Sequence, residues 1–462
     1  MHKVRWTLQK ISARLQFLSE AAIYRRSQPL GPFKFPANSQ PMVAIDVDDR
    51  DWEVIEPGSY CGELRQEFTL RTRFAVPRDW EKPVALSLPL GVSKSLEALS
   101  FLYGPEALAY LDGVAYRGVD PNHQELLLPD HVLDGEEHQL ALHGWTGIKD
   151  ERYEMGFPRL VQIDSPTRDL MTAAKTALEV AKQLPENNLT RVNLLNALDA
   201  AILQLDLREP LGSAFYESVH AAHRALKDGL AKAGPPMDVV VWGVGHAHID
   251  VAWLWTLSQT RRKVARTFSR ALRLMEQYPE FTFTQSQPQL YQYIADDHPE
   301  MMAQIKERVA EGRWETIGGM WVEADCNLTG AEALARQFLL GRRYFLETFG
   351  ARESPVLWLP DVFGYAWQLP QLIQQAGLSY FVTAKLSWNQ YNRIPYDPFW
   401  WQGLDGSRIL TYFITTSKPG WWGATYSADL SPEEILATWD GSQQKERRSE
   451  FMIAYGHARF RS

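Results

Sequence analysis

The sequence predicts an α/β domain with parallel strands, preceded by a β-sandwich-like domain and a small helical module. Three observations carry that expectation. Strand-like and helix-like segments alternate from about residue 237 onward. Ala and Leu recur at helical spacing between residues 165 and 233, and short strand-like stretches separated by turn signals fill residues 40 to 147. With a basic helical segment in front, four parts are expected: 1–39, 40–164, 165–236 and 237–462.

Within the first part, Trp6, Ile11, Leu15 and Leu18 fall on helical spacing among basic residues, as in a surface helix docked on the first domain. A signal peptide needs an uninterrupted apolar run of about 7–15 residues, and charged or polar side chains interrupt this stretch throughout. In the second part, Phe68 to Phe74 alternates with period two and Val84 to Leu88 forms another strand-like run. Turns are signalled at Leu111-Asp112-Gly113, Asp120-Pro121-Asn122 and Asp134-Gly135. Such a domain could bind sugar or serve only for packing. In the third part, helices are expected over Leu170 to Ala181, Val192 to Leu205 and Phe215 to Ala231, parted by Pro185 and Pro210 and closed at Gly234-Pro235-Pro236.

The fourth part alternates more regularly. Strands are expected at Val239–Trp242, Phe281–Thr284, Trp314–Ile317, Val356–Leu359, Tyr380–Val382, Ile409–Phe413 and Phe451–Ala454. Helices are expected over Arg261–Tyr278, Gln289–Ala310, Glu332–Phe349 and Leu369–Ala376. That alternation implies parallel strands with crossover helices, in a barrel or an open sheet. Functional residues then belong beyond the carboxyl ends of the strands.

Composition narrows the function. The net charge of −8 is spread without a basic block, which excludes the electrostatic footprint of a nucleic-acid binder. Cys61 and Cys326 are the only cysteines, too few for a disulfide framework or a Cys-x-x-Cys metal site. No apolar run of about 18 residues suggests a membrane span. A cytoplasmic protein without nucleic-acid or membrane partners is expected, and a homo-oligomer is left open. Seventeen tryptophans exceed what a core needs, and aromatic faces serve as platforms for sugar rings as well as for packing.

Two segments carry chemistry. Gly245-His246-Ala247-His248-Ile249-Asp250 follows the first expected strand of the last domain. In extended backbone, residues two apart share a face at roughly 6–7 Å, so His246, His248 and Asp250 can converge. Imidazole with carboxylate suits Zn²⁺ better than Ca²⁺ or Mg²⁺; a hydrogen-bonded polar loop is the other reading. Trp358-Leu359-Pro360-Asp361-Val362-Phe363-Gly364 places Asp361 just past another strand end. There it either performs chemistry or caps the next helix.

Together, His248-x-Asp250-x-x-Trp253 and Trp358-x-x-Asp361-x-Phe363-Gly364 resemble glycoside hydrolase family thirty-eight, the α-mannosidases, in its cytosolic, vacuolar and bacterial branch. Gly318-Gly319-Met320-Trp321-Val322-Glu323-x-Asp325, Lys385-Leu386-Ser387-Trp388-Asn389 and Phe399-Trp400-Trp401-x-Gly403-x-Asp405-Gly406 extend the resemblance. It implies a seven-stranded β/α barrel, Zn²⁺ held by His248, Asp250 and Asp361, and Asp361 as the nucleophile of a retaining hydrolysis. It further implies substrate contacts from Trp253, Phe363, Trp388 and Asn389, with an α-mannoside or mannose-containing oligosaccharide as substrate. His246 would support the ligands without binding the metal.

The resemblance fails at Gly456-His457-Ala458-Arg459-Phe460-Arg461-Ser462. There the family carries a glycine-rich loop with its acid/base Asp, followed later by a further His ligand. From this a C-terminally truncated chain is expected, by frameshift or premature stop, with an incomplete barrel, no acid/base residue and little or no activity alone. A terminal loop would hold His457 poorly as a substitute ligand. A hydrolase using metal-bound hydroxide and a non-catalytic mannoside-binding remnant are the competing expectations.

Overall fold

The computed structural model describes residues 7–36, 41–61, 65–91, 104–148, 153–235, 237–350, 354–417 and 423–456. Trp6 and the divergent residues 457–462 fall outside these. Two compact units meet in sequence at Met237/Asp238, with residues 115–118 grouped with the second and 431–433 with the first. Among the described residues, no helix is long and apolar enough to cross a membrane.

In the first unit, the helix Thr7–Ile23 buries Ile11, Leu15, Leu18 and Ala22, the i, i+4, i+7, i+11 stripe of one helical face. That stripe packs into one cluster with Met171 and Ala174 of helix Ser165–Gln183, Leu198 of helix Leu189–Ile202, and Val219 and Leu226 of helix Ser213–Leu230. The N-terminal helix is thus built into the helical bundle. Asp164 and Asn188 start two of these helices by accepting the backbone N–H of Thr167 (3.0 Å) and Arg191 (3.2 Å).

The β structure begins earlier than residue 40. Tyr24–Pro29 is a strand, paired antiparallel with Arg159–Ile163 from Tyr24↔Ile163 to Pro29↔Arg159. Its side chains beyond Tyr24 are exposed, so this edge strand has no apolar alternation to betray it. The sheet continues through Val84–Ser87 to Glu125–Leu127. A larger antiparallel sheet runs Glu53–Ile55, Phe33–Phe35, Glu67–Ala75, Glu137–Trp145, Glu106–Leu111. Its central strand Glu67–Ala75 is covered on both faces. The polar positions Thr69 and Arg71 of the period-two pattern are buried, with the Arg71 guanidinium donating to the Val47 carbonyl (2.9 Å). Asp112 and Gly113 both take positive φ, 48° and 80°, in the tight turn that ends the last of these strands.

The second unit alternates strands and helices, and its sheets are mixed. Val240–Gly245 pairs parallel with Glu450–Tyr455, and Phe283–Gln285 with Trp314–Thr316. A four-stranded set runs Val356–Trp358, Tyr380–Thr383, Arg408–Phe413, Pro398–Gln402. Its last pair is antiparallel, a hairpin turning at Asp405-Gly406 that the all-parallel expectation missed. The single helix expected over Gln289–Ala310 is two helices, Pro288–Asp297 and Pro299–Ala310. Pro299 has no N–H to donate and disfavours helical geometry in the residue before it; His298 accordingly sits at φ −141°, ψ 64°.

One histidine ties the first unit's stability to pH. His138 Nδ1 lies 2.7 Å from Asp112 and Nε2 3.0 Å from Asp134, clamping two turns to the strand Glu137–Trp145. Burial opposes its protonation, but the two carboxylates outweigh it and raise its pKa above the ordinary 6.5. A folded-state pKa raised above the unfolded one gives stabilisation that is full below the unfolded value and lost as pH rises through the folded one. The urea midpoint of this unit should therefore fall across that window from mildly acidic to mildly alkaline pH. His138→Gln should flatten the fall; an identical pH profile for the variant would remove His138 from the account.

Candidate functional site

The site of the second unit gathers at the carboxyl ends of its strands, where parallel sheets place function. Beyond Val240–Gly245, residues 246 to 249 stay buried or nearly so, and Asp250 emerges partly exposed. Beyond Val356–Trp358, the chain turns at Pro360 and presents Asp361. Asp361 caps no helix: the next one, Leu369–Gln375, has Gln368 at its N-cap.

Asp361 is held from three directions. The Lys385 ammonium lies 2.7 Å from Oδ1, the Tyr426 hydroxyl donates to Oδ2 at 2.6 Å, and His248 Nε2 lies 3.3 Å from the same oxygen. Burial alone would push this carboxyl up, but His248 and Lys385 outweigh it and hold the pKa near about 2. His248 Nε2 also faces Asp250 Oδ1 at 3.3 Å, while its Nδ1 faces Glu323 Oε1 at 3.1 Å. Burial disfavours the charged ring, yet Glu323 first, then Asp250 and Asp361, lift its pKa well above the usual imidazole value.

Of the expected metal ligands, His248, Asp250 and Asp361 come together, each offering one ligand atom within 4.8 Å of the others. Among the described residues, the three carboxylates Asp250, Glu323 and Asp361 are paired here with one imidazole and one ammonium, so a divalent cation would offset the excess negative charge. Mixed nitrogen and oxygen donors suit a borderline cation. His246, His248 and Glu323 also lie close together, but His246 has no lone pair to give. The Thr284 carbonyl can only accept, so His246 Nδ1 donates to it (2.9 Å). The Trp358 indole can only donate, so Nε2 accepts from it (3.2 Å). Burial drives the His246 pKa down to about 3, which keeps the ring neutral.

The expected substrate contacts are less uniform. Trp253 is 53% exposed, edge-on to Trp255, and Phe363 is 67% exposed. Trp388 is half-buried, donates its indole N–H to the Ala424 carbonyl (2.8 Å) and meets Phe363 edge-on. Lys385 Nζ lies 3.5 Å from the Trp388 ring centroid and 4.6 Å from that of Phe363, so these two rings also support the lysine beside Asp361. Asn389 is exposed and spends its carbonyl oxygen on the N–H groups of Tyr391 and Asn392. Glu323 and Lys385 stand in sequence segments noted above but were given no role there. Tyr426 lies in an irregular loop that no pattern singles out.

Residues 238–460 match the glycosyl hydrolases family 38 N-terminal domain. The chain is 29% identical over 435 residues to alpha-mannosidase G of Dictyostelium discoideum, covering 90% of this chain and 37% of that protein. It is 34% identical to human alpha-mannosidase 2C1 over 76% of this chain and 34% of the relative, and 40% identical to the alpha-mannosidase of Saccharomyces cerevisiae over 47% and 19%. The chain thus spans little more than a third of the length of these curated relatives at most.

The arrangement around His246 makes a direct prediction. His246→Leu strands a buried indole N–H and a buried carbonyl, each costing about 1–3 kcal/mol. Equilibrium urea unfolding should register a loss of that order. A midpoint equal to that of the unsubstituted chain would mean that His246 is not a structural tie.

Proposed function

Because this chain belongs, through residues 238–460, to glycosyl hydrolase family 38, we propose that it serves a zinc-dependent, retaining hydrolysis of terminal α-mannosides with Asp361 as the nucleophile. The observation that carries this reading is the convergence of His248, Asp250 and Asp361 on one point at the strand ends. The fold of the second unit is read accordingly as a seven-stranded β/α barrel. The His246↔Thr284 bridge and the Gly318 N–H to Val356 carbonyl bond support it by linking its separate strand sets. So does a shared cluster of Ile317, Trp358, Val382, Ile414 and Ala454.

A retaining glycosidase needs a carboxylate able to attack the anomeric carbon and a second carboxyl roughly 5–5.5 Å away to protonate the leaving oxygen. Asp361 has the first property: Lys385 and His248 keep it ionised, and Lys385 and Tyr426 fix its two oxygens. His248 Nε2, Asp250 and Asp361 would hold Zn²⁺, which supplies positive charge beside the nucleophile and a grip on neighbouring sugar hydroxyls. Trp253 and Phe363 offer exposed rings for the apolar face of a mannose. Asp250 and Glu323 both engage His248, so we assign no acid partner among the residues described around Asp361.

An activated, fluorinated mannosyl donor should trap the covalent intermediate on the protein. Peptide mass analysis is expected to place the mannosyl adduct on Asp361, and Asp361→Asn is expected to abolish it. An adduct on another carboxylate, or undiminished labelling of Asp361→Asn, would overturn the assignment of the nucleophile.

A further inference from the structure

Glu323 is a buried carboxylate in the second unit whose place is unusually determined. Its side chain is 5% exposed, and Oε1 lies 3.1 Å from His248 Nδ1 while accepting from the Ser286 hydroxyl at 3.0 Å. Its backbone N–H donates to Gln287 Oε1 (3.2 Å), and the same amide donates through Nε2 to the Ile249 carbonyl (2.9 Å). One glutamine therefore ties the Glu323 segment to the backbone between His248 and Asp250. Gln287 does so from left-handed backbone, φ 67°, a conformation that costs free energy in a residue other than glycine.

The consequence lies in the His248 ring. An ionised carboxylate only accepts, so Glu323 requires the proton on Nδ1. A metal at Nε2 would displace the proton of that nitrogen, and the one N–H the ring keeps is then Nδ1–H, which donates to Glu323. Nε2 is the nitrogen facing Asp250 and Asp361 at 3.3 Å each. We infer that Glu323 is a positioning residue that fixes the His248 tautomer and ring orientation, so that Nε2 is presented to a metal shared with Asp250 and Asp361. This rests on the metal reading proposed above and adds to it a carboxylate that never touches the metal. Carboxylates placed behind a ligating imidazole in this way raise its basicity as well as its order.

The test measures Zn²⁺ affinity of the 462-residue chain by competition with a chromogenic chelator, with no substrate present. Glu323→Ala is expected to weaken Zn²⁺ binding about 10- to 100-fold, the usual cost of losing such a partner. Glu323→Gln keeps an oxygen that accepts from Nδ1–H and should recover part of that loss. The proton resonance of His248 Nδ1–H, protected from exchange in the unsubstituted chain, should persist in Glu323→Gln and vanish in Glu323→Ala. If Glu323→Ala fails to fold, the affinity and resonance of Glu323→Gln decide: affinity equal to that of the unsubstituted chain overturns the role. His248→Ala separates the two readings. Loss of Zn²⁺ in His248→Ala with undiminished binding in both Glu323 variants overturns the positioning role and leaves the metal site standing. Equal binding in all variants overturns both.

Discussion

One imidazole organises the second unit of this protein. Carboxylates approach His248 on both ring nitrogens, Glu323 at Nδ1 and Asp250 and Asp361 at Nε2. Such a crowd of like charge in a buried place persists only where something fixes each member and something cationic balances them. Lys385 supplies part of the balance from the far side of Asp361, seated on the Trp388 and Phe363 rings. The proposed metal supplies the rest. In the proposed reading each carboxylate has a distinct task, set by what else it touches: Asp361 for attack, Asp250 to complete a ligand set and Glu323 to orient the ring.

The strands explain how those groups arrive together. His246, although part of the same sequence motif, is turned beneath the site and used as a tie. It joins the Val240–Gly245 strand end to Thr284 and to Trp358, whose strand leads directly to Asp361. The His248–Asp250 loop is therefore anchored at both flanks, by His246 on one side and by Gln287 at the Ile249 carbonyl on the other. Rigid support of this kind would keep the proposed ligand atoms within the tolerance that metal binding demands.

Much of this was legible in the residues. Alternating apolar segments marked the second unit because each strand or helix must bury one face, and the period of that face differs between the two. The clustering of His248, Asp250 and Asp361 followed from strand-end placement and the resemblance to a known family. Other features left no periodic trace. The Tyr24–Pro29 strand is polar and exposed at a sheet edge, and the break before Pro299 is marked only by the proline itself, which the apolar periodicity on either side runs across. Extended-backbone spacing put His246 and His248 on one face, whereas the two rings serve different partners. Tyr426 comes to Asp361 from 65 residues away in an irregular loop, a contact that tertiary structure alone creates.

The central claim is that a single histidine, His248, joins two aspartates around one zinc ion. X-ray absorption spectroscopy of the zinc-loaded 462-residue chain tests it most directly. The account predicts a nitrogen and oxygen shell at about 2.0–2.2 Å with the multiple-scattering signature of one imidazole. Two imidazoles in that shell would break the single-histidine ligand set, and a chain that takes up no zinc would remove the metal; either result would contradict the account.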